Sequence, residues 1–535
     1  MKPHPMLYCL LLVARSAGAA EPVALWGRWS ANFTAATTVS PETELTVALT
    51  SPGGRLHVVA GFWDGAGRWA ARFMPDEAGR WRYRTRSEPK ASGLDGVEGT
   101  FECRPADGAA NRFLRHGRVR VASSGRYLEH VDGTPFFWLG DTVWNGPLLS
   151  AAADWDVFLE DRASKRFTAI QFVMTAPWRT APVDADGHVA FTGRERIQIQ
   201  PAFFARMDAR VDAINAQGLL AVPVMLWAIR GAENPGFSLP EDQAVRLGRY
   251  LQARYGAHHV VWIPAGDGTY TGEFAERWKR IGRAVFGGVE HAPTVMHPAG
   301  MQWPFDGFDE PWMDLIGYQS GHGDDGKTLA WIHSGPVAAK WQASRRPILN
   351  LEPPYEDHVA YQSRERHTAY SVRRACWWSL LAAPPAGLTY GAHGVWSWQS
   401  FAGLPPAHGH TGVARAWRDA MALPGSTDMK HLAELVTSLR WWELRPDEGL
   451  LESQPGGDDP ARHVSAAGTE SGDLAVVYLP VGGEVALRGG AEKSMRAWWF
   501  DPRTGSRRPA TAAATARFAA PDGQDWVLVL EAAAR

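Results

Sequence analysis

Two acidic side chains each close an apolar run: Asp267 in Ala265-Gly266-Asp267-Gly268, and Glu352 in Leu349-Asn350-Leu351-Glu352-Pro353-Pro354-Tyr355. A carboxylate pair at strand ends can face one cleft, where one group protonates a leaving oxygen while the other attacks carbon or activates water. Cleavage of a glycosidic bond asks for such a pair. The bland alternatives are a salt-bridged structural glutamate at Glu352 and a turn aspartate satisfied by adjoining glycines at Asp267. Polar and aromatic groups close the neighbouring runs as well: Asp141, Trp144, Gln171, Trp227, His297, Gln319, His322, Tyr355, Tyr390, His393 and Trp396. Each is read as a candidate sugar contact, with a core or capping role as the alternative; Asp141, between Gly140 and Thr142, is equally suited to cap a helix.

The elements that must position these groups follow from patterning between about residues 111 and 425. Apolar runs alternate there with longer amphipathic segments, as in repeated βα units. Eight strands are expected: Phe136–Asp141, Thr168–Met174, Leu219–Leu226, Val260–Ala265, Thr294–His297, Leu315–Gln319, Ile348–Glu352 and Gly387–Tyr390. Helices are expected over Ala152–Lys165, Ala202–Gln217 and Pro240–Tyr255. The count, with no glycine-rich phosphate loop, predicts an α/β fold built on a closed (β/α)8 barrel rather than an open doubly wound sheet. Catalytic groups of such barrels gather at the C-terminal strand ends, and the fourth and seventh strands stand on opposite sides of the ring. Asp267 and Glu352 would then face each other.

The flanks read differently. From Glu21 to about residue 105, short aromatic runs are broken by turns such as Ser51-Pro52-Gly53-Gly54 and Asp64-Gly65-Ala66-Gly67, which predicts a β-sandwich with Trp63, Trp69 and Trp81 in its core. After Leu423-Pro424-Gly425, a helix is expected over Met429–Arg440, and short strands follow such as Leu474–Leu479, Met495–Phe500 and Trp526–Leu530. Residues 429–535 are therefore expected to hold a second β-sandwich. Residues 1–20 resemble a secretory signal, with Lys2, an apolar run from Met6 to Ala14 and small residues from Ala17 to Ala20, so a secreted or periplasmic product is expected.

Composition narrows the partners. The 535-residue chain carries 55 Lys and Arg against 57 Asp and Glu, which leaves no positive excess for nucleic acid. Its 26 Trp offer flat apolar faces suited to sugar rings, although large cores account for many of them. Beyond the leader, only Cys103 and Cys376 remain, too few for a disulfide scaffold and without metal-ligand spacing. Neither a His-Glu-x-x-His helix nor a Gly-x-Ser-x-Gly elbow occurs, which argues against a peptidase. The expected partner is an oligosaccharide or polysaccharide, with no membrane span, no metal or organic cofactor, and a monomeric chain. A non-catalytic carbohydrate- or matrix-binding protein stays open as the rival reading.

Five separated motifs then point to one family: Phe137-Trp138-Leu139-Gly140-Asp141-Thr142 with Trp144, the run from Asp161 to Gln171, Gly266-Asp267, Glu352-Pro353-Pro354-Tyr355-Glu356, and Thr389-Tyr390-Gly391-Ala392-His393-Gly394-Val395-Trp396. Together they resemble the apiosidase-like glycoside hydrolases. Gly61-Phe62-Trp63-Asp64-Gly65 resembles the β-sandwich often preceding that barrel, and the run from Ala497 to Gly505 resembles the small β-domain that often follows it. The resemblance implies a retaining hydrolase that removes apiosyl residues from pectin side chains, with Asp267 as acid/base and Glu352 as nucleophile. Ala265 and Gly268 depart from the family's usual second glycine before the aspartate and polar residue after it, a departure that bears on substrate identity.

Overall fold

The structure, a computed structural model, describes residues 21–488, 495–512 and 516–532. The expected export segment lies outside these residues. Eight parallel strands form the centre: Trp138–Thr142, Ala169–Val173, Leu220–Trp227, Ile263–Gly268, His297–Pro298, Ile316–Gln319, Ile348–Glu352 and Gly387–Gly391. Their order in space, 5-4-3-2-1-8-7-6, leaves the fifth and sixth as neighbours to be joined, and a parallel bridge between Val295 and Leu315 joins them. Every strand expected from the sequence is present. Six of the eight, all but the fourth and the sixth, are buried along their whole length, because helices cover the outer face and side chains fill the inner one.

The covering helices include Ala152–Ser164, Pro201–Ala216 and Glu241–Tyr255, close to expectation. Pro201 stands in the first turn of its helix, where a missing N–H costs nothing. The same rule corrects the last expected helix: it spans Pro424–Val436, so Pro424 opens it rather than preceding it. A short helix, Arg112–His116, capped by Asn111, and a three-stranded antiparallel sheet (Val119–Val121, Leu128–His130 and Pro135–Phe136) lead into the first barrel strand. No motif or periodicity in the sequence marks that small sheet.

Before the barrel, a five-stranded and a three-stranded sheet share one core containing Trp29, Leu45, Val47, Leu49, Trp69, Trp81 and Phe101. In Glu44–Thr50 burial alternates residue by residue, the period of a sheet with one face inward. Trp69 and Trp81 are buried as expected, whereas Trp63 lies half-buried at the edge. Charged contacts tie this unit to the barrel, with Asp208 accepting hydrogen bonds from both Arg72 and Arg254.

After the barrel, a six-stranded antiparallel sheet uses both its faces. Val476, Tyr478, Trp498 and Val529 join the barrel's core, while Val477, Leu479, Trp499 and Leu528 pack in a core of their own beside the ladder of Glu484–Ala486 with Arg517–Ala519. Arg373 of the barrel spans the junction, donating to Asp428 at 2.6 Å and to both oxygens of Asp525 at 2.7 Å. No described helix is long and apolar enough to cross a membrane.

Candidate active site

Glu352 ends the seventh strand, buried to 5% exposure. Two imidazoles approach its carboxylate: His322 Nε2 lies 3.0 Å from Oε1, and His297 Nε2 lies 3.3 Å from Oε2. The Tyr355 backbone N–H donates to Nδ1 of His322 over 3.3 Å, which leaves the His322 proton on Nε2, directed at Glu352. Burial alone would favour the protonated acid, but these two imidazoles override it and hold the Glu352 carboxyl down at about 2. Glu352 is therefore an anion across the working pH range.

Asp267 ends the fourth strand, at the opposite side of the ring. Its φ of 53° lies in the left-handed region, which costs a non-glycine residue about 1 kcal/mol. The strand pairing shifts there: Gly266 faces His297 and Gly268 faces Pro298, so Asp267 is an inserted, bulged residue. Pairing also slips beside Glu352, where Tyr318 faces Asn350 and Gln319 faces Glu352. Bulges turn a side chain away from the regular pleat, and here each re-aims a carboxylate at a strand end. Burial and the Glu352 charge push the Asp267 carboxyl up to about 7, against smaller opposing effects of His297 and Arg179. It keeps part of its surface exposed to the cleft.

Aromatic rings form the walls. Trp144 meets Trp227 edge to face at 5.0 Å and His297 at 5.5 Å, and Trp178 lies 5.4 Å from Trp227 and 5.0 Å from Trp396. Gly266 makes room for Trp227, since a Cβ there would come within 2.6 Å of the indole. Gly391 does the same for the Tyr355 ring, which lies tilted against His322 at 4.5 Å between ring centres. Several buried polar atoms here have no partner within the chain: the Trp227 Nε1, the Tyr355 hydroxyl, the Gln319 Oε1 and the His297 Nδ1. Buried polar groups demand partners, and a polyhydroxylated ligand would supply them.

Three expected sugar contacts are corrected. Asp141 is fully buried and paired with Arg162 on the outer side of the barrel strands, where Arg162 also meets Asp161. Tyr390, directly across from Asp141 in the pairing, points the same way and donates to Oε2 of Glu356 at 2.6 Å. His393 is enclosed, with Nε2 at 3.0 Å from the Gly412 carbonyl and Nδ1 accepting from the Trp396 indole. These groups brace the loops around the cleft instead of lining it. Gln171 lies inside the barrel beneath the cleft, donating to the Leu351 carbonyl at 3.2 Å, and so steadies the residue before Glu352.

Sequence reasoning passed over Trp178, Arg179 and His408, which join the rim from loops after the second and eighth strands. The aromatic-basic pair Trp178-Arg179 following an apolar strand was the available signal. Among the described residues, Asp184, Asp186 and His188 form the cluster with metal-ligand spacing, but Arg206 already donates to Asp186 at 2.8 Å and sits 4.0 Å from Asp184. A cation is thus already supplied by the chain.

Comparison with known proteins bears on the family and the fold. Residues 122–443 match the family described as "Apiosidase-like, catalytic domain", residues 22–88 a "Domain of unknown function (DUF5060)", and residues 446–531 a "Putative collagen-binding domain of a collagenase". A crystal structure of a "putative glycoside hydrolase" from Bacteroides vulgatus is 19% identical, with a TM-score of 0.71 over 96% of this chain and 100% of that one. A glycoside hydrolase family 5 structure from the same species is 22% identical, with a TM-score of 0.68 over 79% of this chain and 94% of its own. At such identities the likeness speaks to the fold. A search of curated proteins returned no match. Because the catalytic-domain match spans more than half of the chain, and carries the two strand-end carboxylates within it, the protein belongs to the apiosidase-like family and is a glycoside hydrolase.

Proposed function

We propose that the protein is an exported retaining hydrolase that removes side-chain sugars, apiose foremost, from plant cell-wall pectin such as rhamnogalacturonan II. The observation that carries the mechanism is the opposed state of the two carboxyls: Glu352 held down at about 2, Asp267 pushed up to about 7. Near neutrality one is a ready nucleophile and the other a ready acid.

In the first step a Glu352 oxygen bonds to the anomeric carbon as the glycosidic C–O bond breaks, and Asp267 gives its proton to the departing oxygen. The glycosyl ester removes the negative charge from Glu352, so the Asp267 carboxylate becomes easier to form and can take a proton from water. That water attacks the anomeric carbon, frees Glu352 and gives a product of retained configuration. His297 and His322 stabilise Glu352 as the departing anion, and the indoles of Trp144 and Trp227 offer apolar faces to the sugar ring.

The test is sugar release from rhamnogalacturonan II and other plant glycans by wild type, Glu352→Gln and Asp267→Asn, with the anomer of the first-formed product read by proton NMR. Release by the wild type alone, with retained configuration, is expected. Inverted product would overturn the double displacement, and release by all three would overturn the site.

A further inference from the structure

At the end of the barrel away from Asp267 and Glu352 lies a second cavity, of about 690 Å³. It is bounded by the segments entering the first and second strands, by residues 216–218, and by Trp441 and Trp442. The volume falls within the roughly 300–1,000 Å³ of small-molecule sites.

Arg112 lines this space in an unusual condition. Burial and the nearby charge of Arg166 both act against its cation, and no carboxylate offsets them. Arg112 is half-buried, whereas the fully buried arginines are answered by the chain: Arg162 by Asp141 and Asp161, Arg373 by Asp428 and Asp525. Arg126, Arg210 and Arg277, which burial also disfavours, donate to backbone carbonyls. Among the described residues Arg112 has neither kind of partner. No acidic residue lines the cavity, and Arg166 has only the exposed Glu434, 3.3 Å away. At the rim, Trp442 stands at 84° to the buried Trp441, leaving its indole partly open.

A half-buried guanidinium without a partner is poorly compensated, and a carboxylate entering beside it would form a charge-assisted, two-pronged pair. An indole at the same opening suits a ring with an apolar face. We propose that this cavity is a second saccharide site, which takes a uronate residue of an acidic polysaccharide with its carboxylate on Arg112 and Arg166 and its ring against Trp442. The assignment of a uronate rests on the plant-polysaccharide reading of the cleft. Such a site would hold the polymer while the cleft at the other end of the barrel works on its branches.

Calorimetric titration of digalacturonate into the full-length Glu352→Gln chain tests this, with Trp227→Ala added to remove binding in the cleft. Adding Arg112→Gln is expected to weaken the remaining binding about tenfold or more, and Arg112→Lys, which keeps the charge without the fork, to recover part of it. Equal affinity with and without Arg112→Gln overturns the proposal, as does no binding to the parent chain. Inorganic phosphate competing as tightly as digalacturonate would overturn the saccharide assignment and leave a plain anion site. The melting temperature of Arg112→Gln should be unchanged or higher, because an unpaired, half-buried charge is removed; a marked fall would overturn the premise that Arg112 lacks a partner. Failure of the cleft reading is seen separately, as no hydrolysis of any plant glycan by the wild type.

Discussion

The ends of the fourth and seventh strands are alike in backbone and opposite in chemistry. Both carry a carboxylate at a break in strand register, and burial pushes both toward the protonated form. At Glu352 the imidazoles of His297 and His322 reverse that push; at Asp267 no donor does, and the Glu352 charge adds to it. Neither residue type nor strand position decides which carboxyl is the acid. The decision is made by side chains from the fifth and sixth strand ends, which reach Glu352 and stop short of Asp267. One anion thereby keeps its neighbour neutral, so the two roles are set together.

The comparison is broken most severely by removing the anion. Glu352→Gln should lower kcat on the order of 10⁴-fold, since no covalent intermediate can form. Steady-state hydrolysis of a soluble glycoside measures this, and a loss below tenfold would remove Glu352 from the chemistry. Asp267→Asn should cost about 10²–10⁴-fold with a sugar leaving group and far less with a nitrophenolate, which departs without a proton. A uniform loss with both leaving groups would mean that Asp267 is not the acid. A third carboxylate marks the contrast between cleft and scaffold: Asp141→Ala takes from Arg162 its fully buried partner on the outer side of the strands and leaves only Asp161, and should destabilise the protein by about 3 kcal/mol in urea unfolding.

That contrast also shows what the sequence conveyed. The eight barrel strands were legible because strands buried on both faces are continuous apolar runs bounded by turns. The same property hid which way their side chains point. Asp141 and Tyr390 sit opposite each other in the pairing and face the helices, while Thr142 and Gln171, one position along, face inward. In a half-exposed strand such as Glu44–Thr50, alternation reveals the inward face; in Trp138–Thr142 there is none to read. Asp267 and Glu352 were legible because they end their runs, where the barrel opens. The two bulges were not, since pairing register depends on the neighbouring strand, and Trp178 and His408 come from loops without periodicity.

Smaller effects sharpen the comparison. Replacing His322 with Ala removes a donor from Glu352 and lets burial act more freely, so the acid limb of the kcat/KM profile, set by Glu352 at about 2, should move upward while the basic limb, set by Asp267 at about 7, stays nearly in place. Movement of the basic limb alone would show that His322 serves Asp267 instead.

The smallest expected effect is on stability, and its sign separates the two carboxyls cleanly. The Asp267 carboxyl is pushed up to about 7, well above the ordinary aspartate range, so the folded state binds its proton more tightly than the unfolded chain does. Its contribution to stability is full below about pH 4, declines as pH rises, and is gone above about pH 7, where an anion must be kept buried beside Glu352. Asp267→Asn removes that titration and keeps the volume. The variant should therefore melt higher than wild type above pH 7, by about 2 °C, with the advantage fading toward pH 4. Glu352 has the reverse linkage: its folded pKa lies below the ordinary value, so its ionised form adds stability that is lost only as pH falls toward about 2. Glu352→Gln should accordingly melt lower than wild type at neutral pH, because His297 and His322 lose the anion they face. Scanning calorimetry of both variants at pH 5 and pH 8 decides the matter. Shifts of the same sign at pH 8 would mean that the two strand ends do not differ in the way their surroundings require.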